Sequence, residues 1–415
     1  MFRKIHAFGL VTAVVIAGSV AAQAPPASAI PLEIGYQGSA YGTQVNVGSV
    51  VQSGRSALSV LGCVSQPGVQ KTNTAASVNA APALTTGTLD TSAASQATAT
   101  GDATVSASNV QSVSLLGGLV TASAVTSVST TSRDNSTGAL AVSAAGTQFA
   151  SLRVAGVPVG GTPAPNTKIS LPGVGYVLLN QQTSSIGAVS ANMTVIGIHV
   201  VVTISTPLSG AGAQIYVGYA ASSLGGPVRG LLGGAGYGAS AHAGGNIIAG
   251  EAFPQPMPCL GTHGSTLTNS GVSLAVPGVL TSGTVADTAT GTTNSGRVAG
   301  EVTATVQNLD LLGGLETATA VGADVTASGN PPSFGDKSSF AGLSVAGQPA
   351  IGDSVPANTK VPLAGIGTLW LHRVVQTGSS IRVIMIQLDV TVPSNPLGLS
   401  PGTVVDVASA QLNIG

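Results

Sequence analysis

Residues 195–204 read VIGIHVVVTI, and residues 383–392 read VIMIQLDVTV. In the first stretch Ile196, Ile198, Val200, Val202 and Ile204 fall on every second position; in the second Ile384, Ile386, Leu388, Val390 and Val392 do the same. The interleaved positions are mixed: Val195, Gly197, His199, Val201 and Thr203 against Val383, Met385, Gln387, Asp389 and Thr391. Successive side chains of an extended chain point to opposite sides, so an apolar period of two predicts a strand with one buried face. A slip of one residue would turn every aliphatic group to water.

These two strands belong to a duplication of the whole chain. Ala40-Tyr41-Gly42 recurs as Gly236-Tyr237-Gly238, Cys63 as Cys259, and Leu84–Thr88 as Leu280–Thr284, all at one offset. Leu115-Leu116-Gly117-Gly118-Leu119 recurs as Leu311-Leu312-Gly313-Gly314-Leu315. The offset then shortens, and Phe149–Gly156 meets Phe340–Gly347, while Asn166-Thr167-Lys168 meets Asn358-Thr359-Lys360. Insertions fall between the matches, as surface loops allow. The units run over 37–222 and 236–415, joined by a Gly-rich linker at 223–235.

Each Gly-Gly pair separates two strand-like runs, and it supplies the positive φ that a two-residue hairpin turn requires. After the second pair, Leu315, Thr317, Thr319, Val321, Ala323 and Val325 share one face, with Glu316 and Asp324 on the other. A closing strand carries Ile215, Val217 and Tyr219 in one unit and Val405, Val407 and Ser409 in the next. A smaller echo also sits inside each unit: Leu84, Gly87 and Ala93 reappear as Leu115, Gly118 and Ala124. The fold class is therefore all-β, as two tandem antiparallel β-sandwich-like units. A short β-solenoid is the alternative reading of the inner echo, although solenoids usually stack three coils or more.

The start of the chain reads as an export leader over 1–29. Arg3 and Lys4 precede an apolar run from Phe8 to Ala22, too short for a comfortable membrane span, and Ala27-Ser28-Ala29 fits a cut before Ile30. Ala22-Gln23-Ala24 also fits the small-residue rule, but Pro25 would follow that cut. No later stretch is apolar enough for a membrane helix, and the last residues carry no hydrophobic tail or wall-sorting signal. A secreted protein, held at the wall without a covalent bond or released, is expected.

Charged residues make up 7% of the chain, far below the ~25% of an average domain. The net charge of −1 gives no electrostatic case for nucleic acid or an anionic membrane. A mean hydropathy of +0.44 disfavours a disordered chain. The Ser, Thr and Gly content suits an envelope or assembly role, with cell-wall polysaccharide or self-association as the partner.

Candidate chemistry is sparse. Gly398-Leu399-Ser400-Pro401-Gly402 matches a nucleophile-elbow pattern, but Pro401 lacks the N–H that an oxyanion hole takes from that position. His199, His242, His263 and His372 show no metal-ligand spacing, and the acids do not recur: Asp310 meets Ser114, and Asp90 meets Ala286. No catalytic, cofactor or metal site is expected. Lys168 and Lys360 recur, each after Asn-Thr and before an apolar strand, which reads as an edge lysine or a ligand-facing loop. Tyr41 and Tyr237 are the matched aromatic candidates for ligand-facing loops. Cys63 and Cys259, one per unit, suggest a bridge between units; intermolecular bridges and free thiols are the other readings.

Together the Tyr-Gly strand, the Leu-Leu-Gly-Gly-Leu hairpin, Val154–Pro158, Pro165–Lys168, Pro172–Asn180 and the strand with His199 form a pattern. It resembles the choice-of-anchor P family of exported actinobacterial proteins, once per unit. The second unit departs from the pattern at Gly367–His372 and at Gln387. The resemblance implies a secreted or surface-attached protein and supplies no activity and no site residues. The leading function is an exported non-catalytic cell-surface or matrix protein. An adhesin- or lectin-like module for envelope polysaccharide is the alternative, and a secreted hydrolase the distant third.

Overall fold

The computed structural model describes residues 32–47, 50–243, 246–249, 251–276, 279–294, 297–329, 331–348 and 351–415. The leader read at 1–29 lies outside the described residues. Strands dominate, and among the described residues the one helical element is a single 3-10 turn at Leu116–Gly118. This follows from a chain rich in Val and Thr and punctuated by Gly.

The first copy contributes β1 (Leu32–Val47), β2 (Val50–Ser53), β3 (Ser59–Val64), β4 (Leu89–Ala97), β5 (Gly101–Leu115), β6 (Val120–Asp134), β7 (Thr167–Leu171), β8 (Gly175–Ile186), β9 (Ser190–Val202) and β10 (Ala213–Arg229), with shorter strands between. The second contributes β11 (Leu232–Ala243), β12 (Ser273–Val276), β13 (Val285–Asn294), β14 (Arg297–Leu311), β15 (Glu316–Ser328), β16 (Thr359–Leu363), β17 (Gly367–Gln376), β18 (Ser380–Val390) and β19 (Thr403–Ile414). In the first copy β7-β8-β9-β10-β1 pair antiparallel in that order, and β4-β5-β6 form a second antiparallel layer. In the second copy β16-β17-β18-β19-β11 and β13-β14-β15 repeat both orders.

The two layers of each copy bury their facing sides together. In the first copy Leu89, Val110 and Val125 share a core with Leu179, Ile198 and Val217. Each such side chain contributes about 1.5–3 kcal/mol. The layers approach closely because small residues line them. A Cβ on Gly42 would sit 2.0 Å from Leu89 Cδ2, and one on Gly238 would sit 2.2 Å from Val285 Cγ1. Buried hydroxyls stitch across the gap: Ser108 Oγ donates to the Tyr41 carbonyl at 3.0 Å, and Ser129 Oγ to that of Met193 at 2.8 Å. The Ser-rich composition is thus partly core, not only surface.

The strand faces differ from the simple alternation in one respect. Asn180 (φ 49°) and Gly218 (φ 68°) lie on the same rung of the sheet as Gly197; His372 (φ 52°) and Ala408 (φ 49°) flank Met385 in the second copy. At that rung the inward set changes parity. Ala191, Met193 and Val195 are buried before it, and Ile198, Val200 and Val202 after it. Ile204 lies beyond the strand and is exposed. In the flanking strands the left-handed residue at this rung turns the following side chains to the other face, so the sheet keeps its pairing and still exchanges faces.

A second parity change corrects the reading after Gly313-Gly314. Glu316 and Ala318 point inward, then Val321, Ala323 and Val325, while Thr317 and Thr319 do not. The hairpins are also longer than expected. Leu115 pairs with Val120 and Leu311 with Glu316, leaving four-residue loops. The glycines do take positive φ, at 64° and 93° in one copy and 66° and 91° in the other.

Residues Pro31–Gly415 cluster as one compact unit. The stretch 223–235 is not an open linker: β10 runs on to Arg229, and β11 starts at Leu232. Its glycines serve close packing, since a Cβ on Gly230 would lie 2.4 Å from Val298 Cγ2. The first sheet of the first copy also joins the second sheet of the second copy, through a parallel contact of β2 with β12. Among the described strands this is the one parallel pairing, so the ladders are not those of a solenoid. Cys63 and Cys259 form a disulfide across the copies, with Cα atoms 5.2 Å apart.

Candidate functional site

The face of β9, β10 and β1 that points away from the core shows what the repeat does with one scaffold. In the first copy it is filled by stacked rings. Tyr41 lies on Tyr219 with centroids 4.4 Å apart, and His199 on Tyr216 at 4.4 Å. His199 Nδ1 bonds Gln181 Oε1 at 2.8 Å, and its Nε2 meets Gln214 Oε1 at 3.2 Å. Burial lowers the His199 pKa, with the Gln214 contact working against it. The imidazole is a packed member of a closed network.

The second copy puts different groups on the same rungs. His199 pairs with Tyr216, whereas Gln387 pairs with Asp406; Tyr41 pairs with Tyr219, whereas Tyr237 pairs with Ser409. Two rings and an imidazole are thereby replaced by an acid, a hydroxyl and an amide. The space they leave is a cavity of about 450 Å³. Of the chain's 13 basic and 14 acidic residues, three of each line it: Arg55, Arg373 and Arg382 with Glu251, Asp389 and Asp406. So dense a cluster in so uncharged a chain marks the cavity as the candidate site.

Its interior is ordered by a hydrogen-bond network. Asp406 accepts from Gln387 Nε2 at 2.6 Å, from Tyr237 Oη at 3.1 Å and from Arg382 at 3.3 Å. Arg382 also donates to Tyr237 Oη at 2.8 Å. Asp389 accepts from Trp370 Nε1 at 3.0 Å. Arg373 lies 5.1 Å from the Trp370 ring centroid, with Lys360 5.0 Å from the same centroid. Burial raises the Glu251 pKa, while Arg55 and Arg382 draw it down. Burial also pushes the Tyr237 hydroxyl above its ordinary range, and Asp406 adds to the effect.

One wall comes from the other copy. Arg55 and Leu58, in the segment between β2 and β3, reach over the β11–β19 face. Arg55 also sits 5.2 Å from the Tyr41 ring centroid. The position equivalent to Arg55 in the second copy is Glu251, and both line the cavity. A comparison of like charges between the copies passes over this pair, because the charge changes sign. Arg373, Arg382 and Asp406 were missed for a related reason: they do not recur, and the fold brings them together from β17, β18 and β19.

The residues singled out from the sequence lie as follows. Tyr41 and Tyr237 were read as ligand-facing loop residues; they sit in β1 and β11, and both are buried. Tyr237 lines the cavity, and Tyr41 supports Arg55. Lys168 and Lys360 are exposed on β7 and β16. The Lys168 ammonium lies 3.8 Å from the Tyr176 ring centroid, so each lysine stands over an aromatic ring of the adjoining strand. Cys63 and Cys259 meet in the bridge. Among the described residues no group of three His, Cys, Asp or Glu side chains is placed to hold a metal ion. Nor, among them, is any helix long and apolar enough to cross a membrane.

No protein-family model matches the chain, and no curated protein matches it. One solved structure, the crystal structure of Pseudomonas aeruginosa OccK7 (OpdD), aligns over 92% of this chain and 98% of its own at 11% identity. Its TM-score is 0.11, too low to carry an argument about fold or function.

Proposed function

We propose that the protein is an exported, non-catalytic component of the cell surface or extracellular matrix, built as two tandem β-sandwich-like units of the choice-of-anchor P type. The observation that carries this reading is the Cys63–Cys259 disulfide. It joins equivalent positions of the two copies and is largely buried. Bonds of this kind form and persist in oxidising compartments. The leader at 1–29 points the same way.

Fractionating culture medium, wall and membrane, with intact mass measured before and after reduction, tests the reading. A chain starting at Ile30, found outside the cytoplasm and alkylated only after reduction, is the expected result. An unprocessed cytoplasmic chain with two reactive thiols would overturn it.

A second reading is an adhesin- or lectin-like module for envelope polysaccharide. Each copy presents a part-exposed aromatic ring under an exposed lysine, Tyr176 with Lys168 and Trp370 with Lys360. Aromatic faces and flanking donors suit sugar rings. Tyr176→Ala and Trp370→Ala should then each weaken adsorption to isolated wall polysaccharide. Adsorption unchanged in the double variant removes this reading.

A further inference from the structure

We propose that the cavity between the copies binds a hydroxylated carboxylate of monosaccharide size, a hexuronate. The proposal does not depend on where the protein is exported, nor on the exposed lysine–aromatic pairs.

A cavity of about 450 Å³ is in the range that encloses a small ligand. The carboxylate is called for by two guanidinium groups that make no direct ion pair within the protein, Arg55 feeling Glu251 only at longer range. Among the described residues neither Arg55 nor Arg373 has a carboxylate within ion-pair distance. Each instead lies over a ring, Arg55 5.2 Å from the Tyr41 centroid and Arg373 5.1 Å from that of Trp370. Contact with a ring face holds the guanidinium in place without using its N–H donors, which suits bidentate contact with a carboxylate. Arg55 Nε is buried with no partner, so a donor is already withdrawn from water.

Glu251 faces Arg55 beyond ion-pair distance, and burial disfavours its charged form, while the other two acids are already engaged. Asp406 is occupied by Gln387, Tyr237 and Arg382, and Asp389 by Trp370. The hydroxyl part follows from Gln387. Its Nε2 is spent on Asp406, while its buried Oε1 has no donor. No protein donor reaches that oxygen, and a sugar hydroxyl can satisfy it as a neutral donor that adds no charge to a carboxylate ligand. The first copy fills the matching rungs with Tyr216, Tyr219 and His199, so the opening is a departure from the repeat rather than a property of the scaffold.

Calorimetric titration of the full oxidised chain with glucuronate, glucose and acetate tests the assignment. Saturable glucuronate binding, at least tenfold tighter than either control, is expected. Arg55→Gln and Arg373→Gln should each cost tenfold or more, and Arg373→Lys most of that, since it keeps the charge but loses the fork. Gln387→Leu should narrow the gap between glucuronate and acetate. Lys71→Ala, at an exposed position outside the cavity, should bind as the parent does, and thermal melts report whether each variant is folded. A parallel titration with a short oligouronate separates the sources: equal affinity per chain end means a polymer terminus is accepted, and binding of the monomer alone means a free sugar acid. No glucuronate binding by the parent, or binding untouched in folded Arg55→Gln and Arg373→Gln variants, would overturn the proposal.

Discussion

Glu316 occupies the first residue of β15, where Leu311 and Val345 are its neighbours across the ladders. The same place in the first copy is Val120, between Leu115 and Val154. Both carboxyl oxygens of Glu316 are buried without a partner, and burial pushes its pKa up to about 8. Asp287, where the first copy has Thr91, is pushed up to about 9 by burial, against the pull of the Gly238 and Thr305 backbone amides. A carboxyl raised in the folded state holds its proton while the unfolded chain gives it up. The stability tied to that proton is complete below the unfolded pKa, 4.5 for Glu316 and 3.8 for Asp287, and drains away as pH rises to about 8 and about 9 respectively. For Glu316 the cost at pH 7 is about 3 kcal/mol. Glu316→Val should therefore stabilise the chain by roughly that amount more at pH 7 than at pH 4. Denaturant midpoints at the two pH values measure it, and an equal gain at both would mean the carboxyl ionises freely in the fold.

At the scale of the strand, the recurring Tyr-Gly pair has a steric cause. Gly42 in β1 and Gly238 in β11 each face a core side chain of the opposite layer at a distance no Cβ tolerates. Gly238→Ala should part the two layers and cost about 1–3 kcal/mol. Gly322, in β15, has ordinary space beside it, the nearest atom to a Cβ being 3.9 Å away. Gly322→Ala should be neutral or gain up to about 1 kcal/mol, through the unfolded chain's lost freedom. Thermal melts of the two variants separate crowding from backbone entropy; a similar loss in both would mean that the layers do not govern the effect. The rung of Asn180, Gly197 and Gly218 acts at this scale too. It lets β8, β9 and β10 pass from one facing set to the other without losing register.

For the whole molecule the bridge and the cavity depend on the same arrangement. Cys63 and Cys259 hold the copies together, and Arg55 of one copy completes a cavity whose floor belongs to the other. Closing a loop of 196 residues restricts the unfolded chain strongly, so Cys63→Ala with Cys259→Ala should lower stability by about 2–5 kcal/mol. Urea unfolding of the oxidised parent against the double variant gives the number. Equal stabilities would mean that the non-covalent contacts between the copies, such as Gln37 Nε2 to the Met257 carbonyl at 2.8 Å, suffice alone.

What the sequence determined by itself is what depends on neighbours along the chain. Alternation in 195–204 and 383–392 specified strands, Gly-Gly pairs specified turns, and the repeat specified that both copies share one order of elements. The β-branched and glycine content allowed little else. Tertiary structure alone decided which face each segment turns inward past Gly197 and Met385, because the left-handed residues beside them on the same rung, Asn180 and Gly218, His372 and Ala408, reset the parity that a period of two assumes. It decided that Glu316 is buried and that the glycines of 223–235 pack rather than bend. It also decided the candidate site. Arg55, Glu251, Arg373, Arg382 and Asp406 come from segments far apart in the chain and from both copies. No local pattern links them; only the docking of one copy on the other, fixed by the bridge and the shared sheet, brings their charges into one cavity.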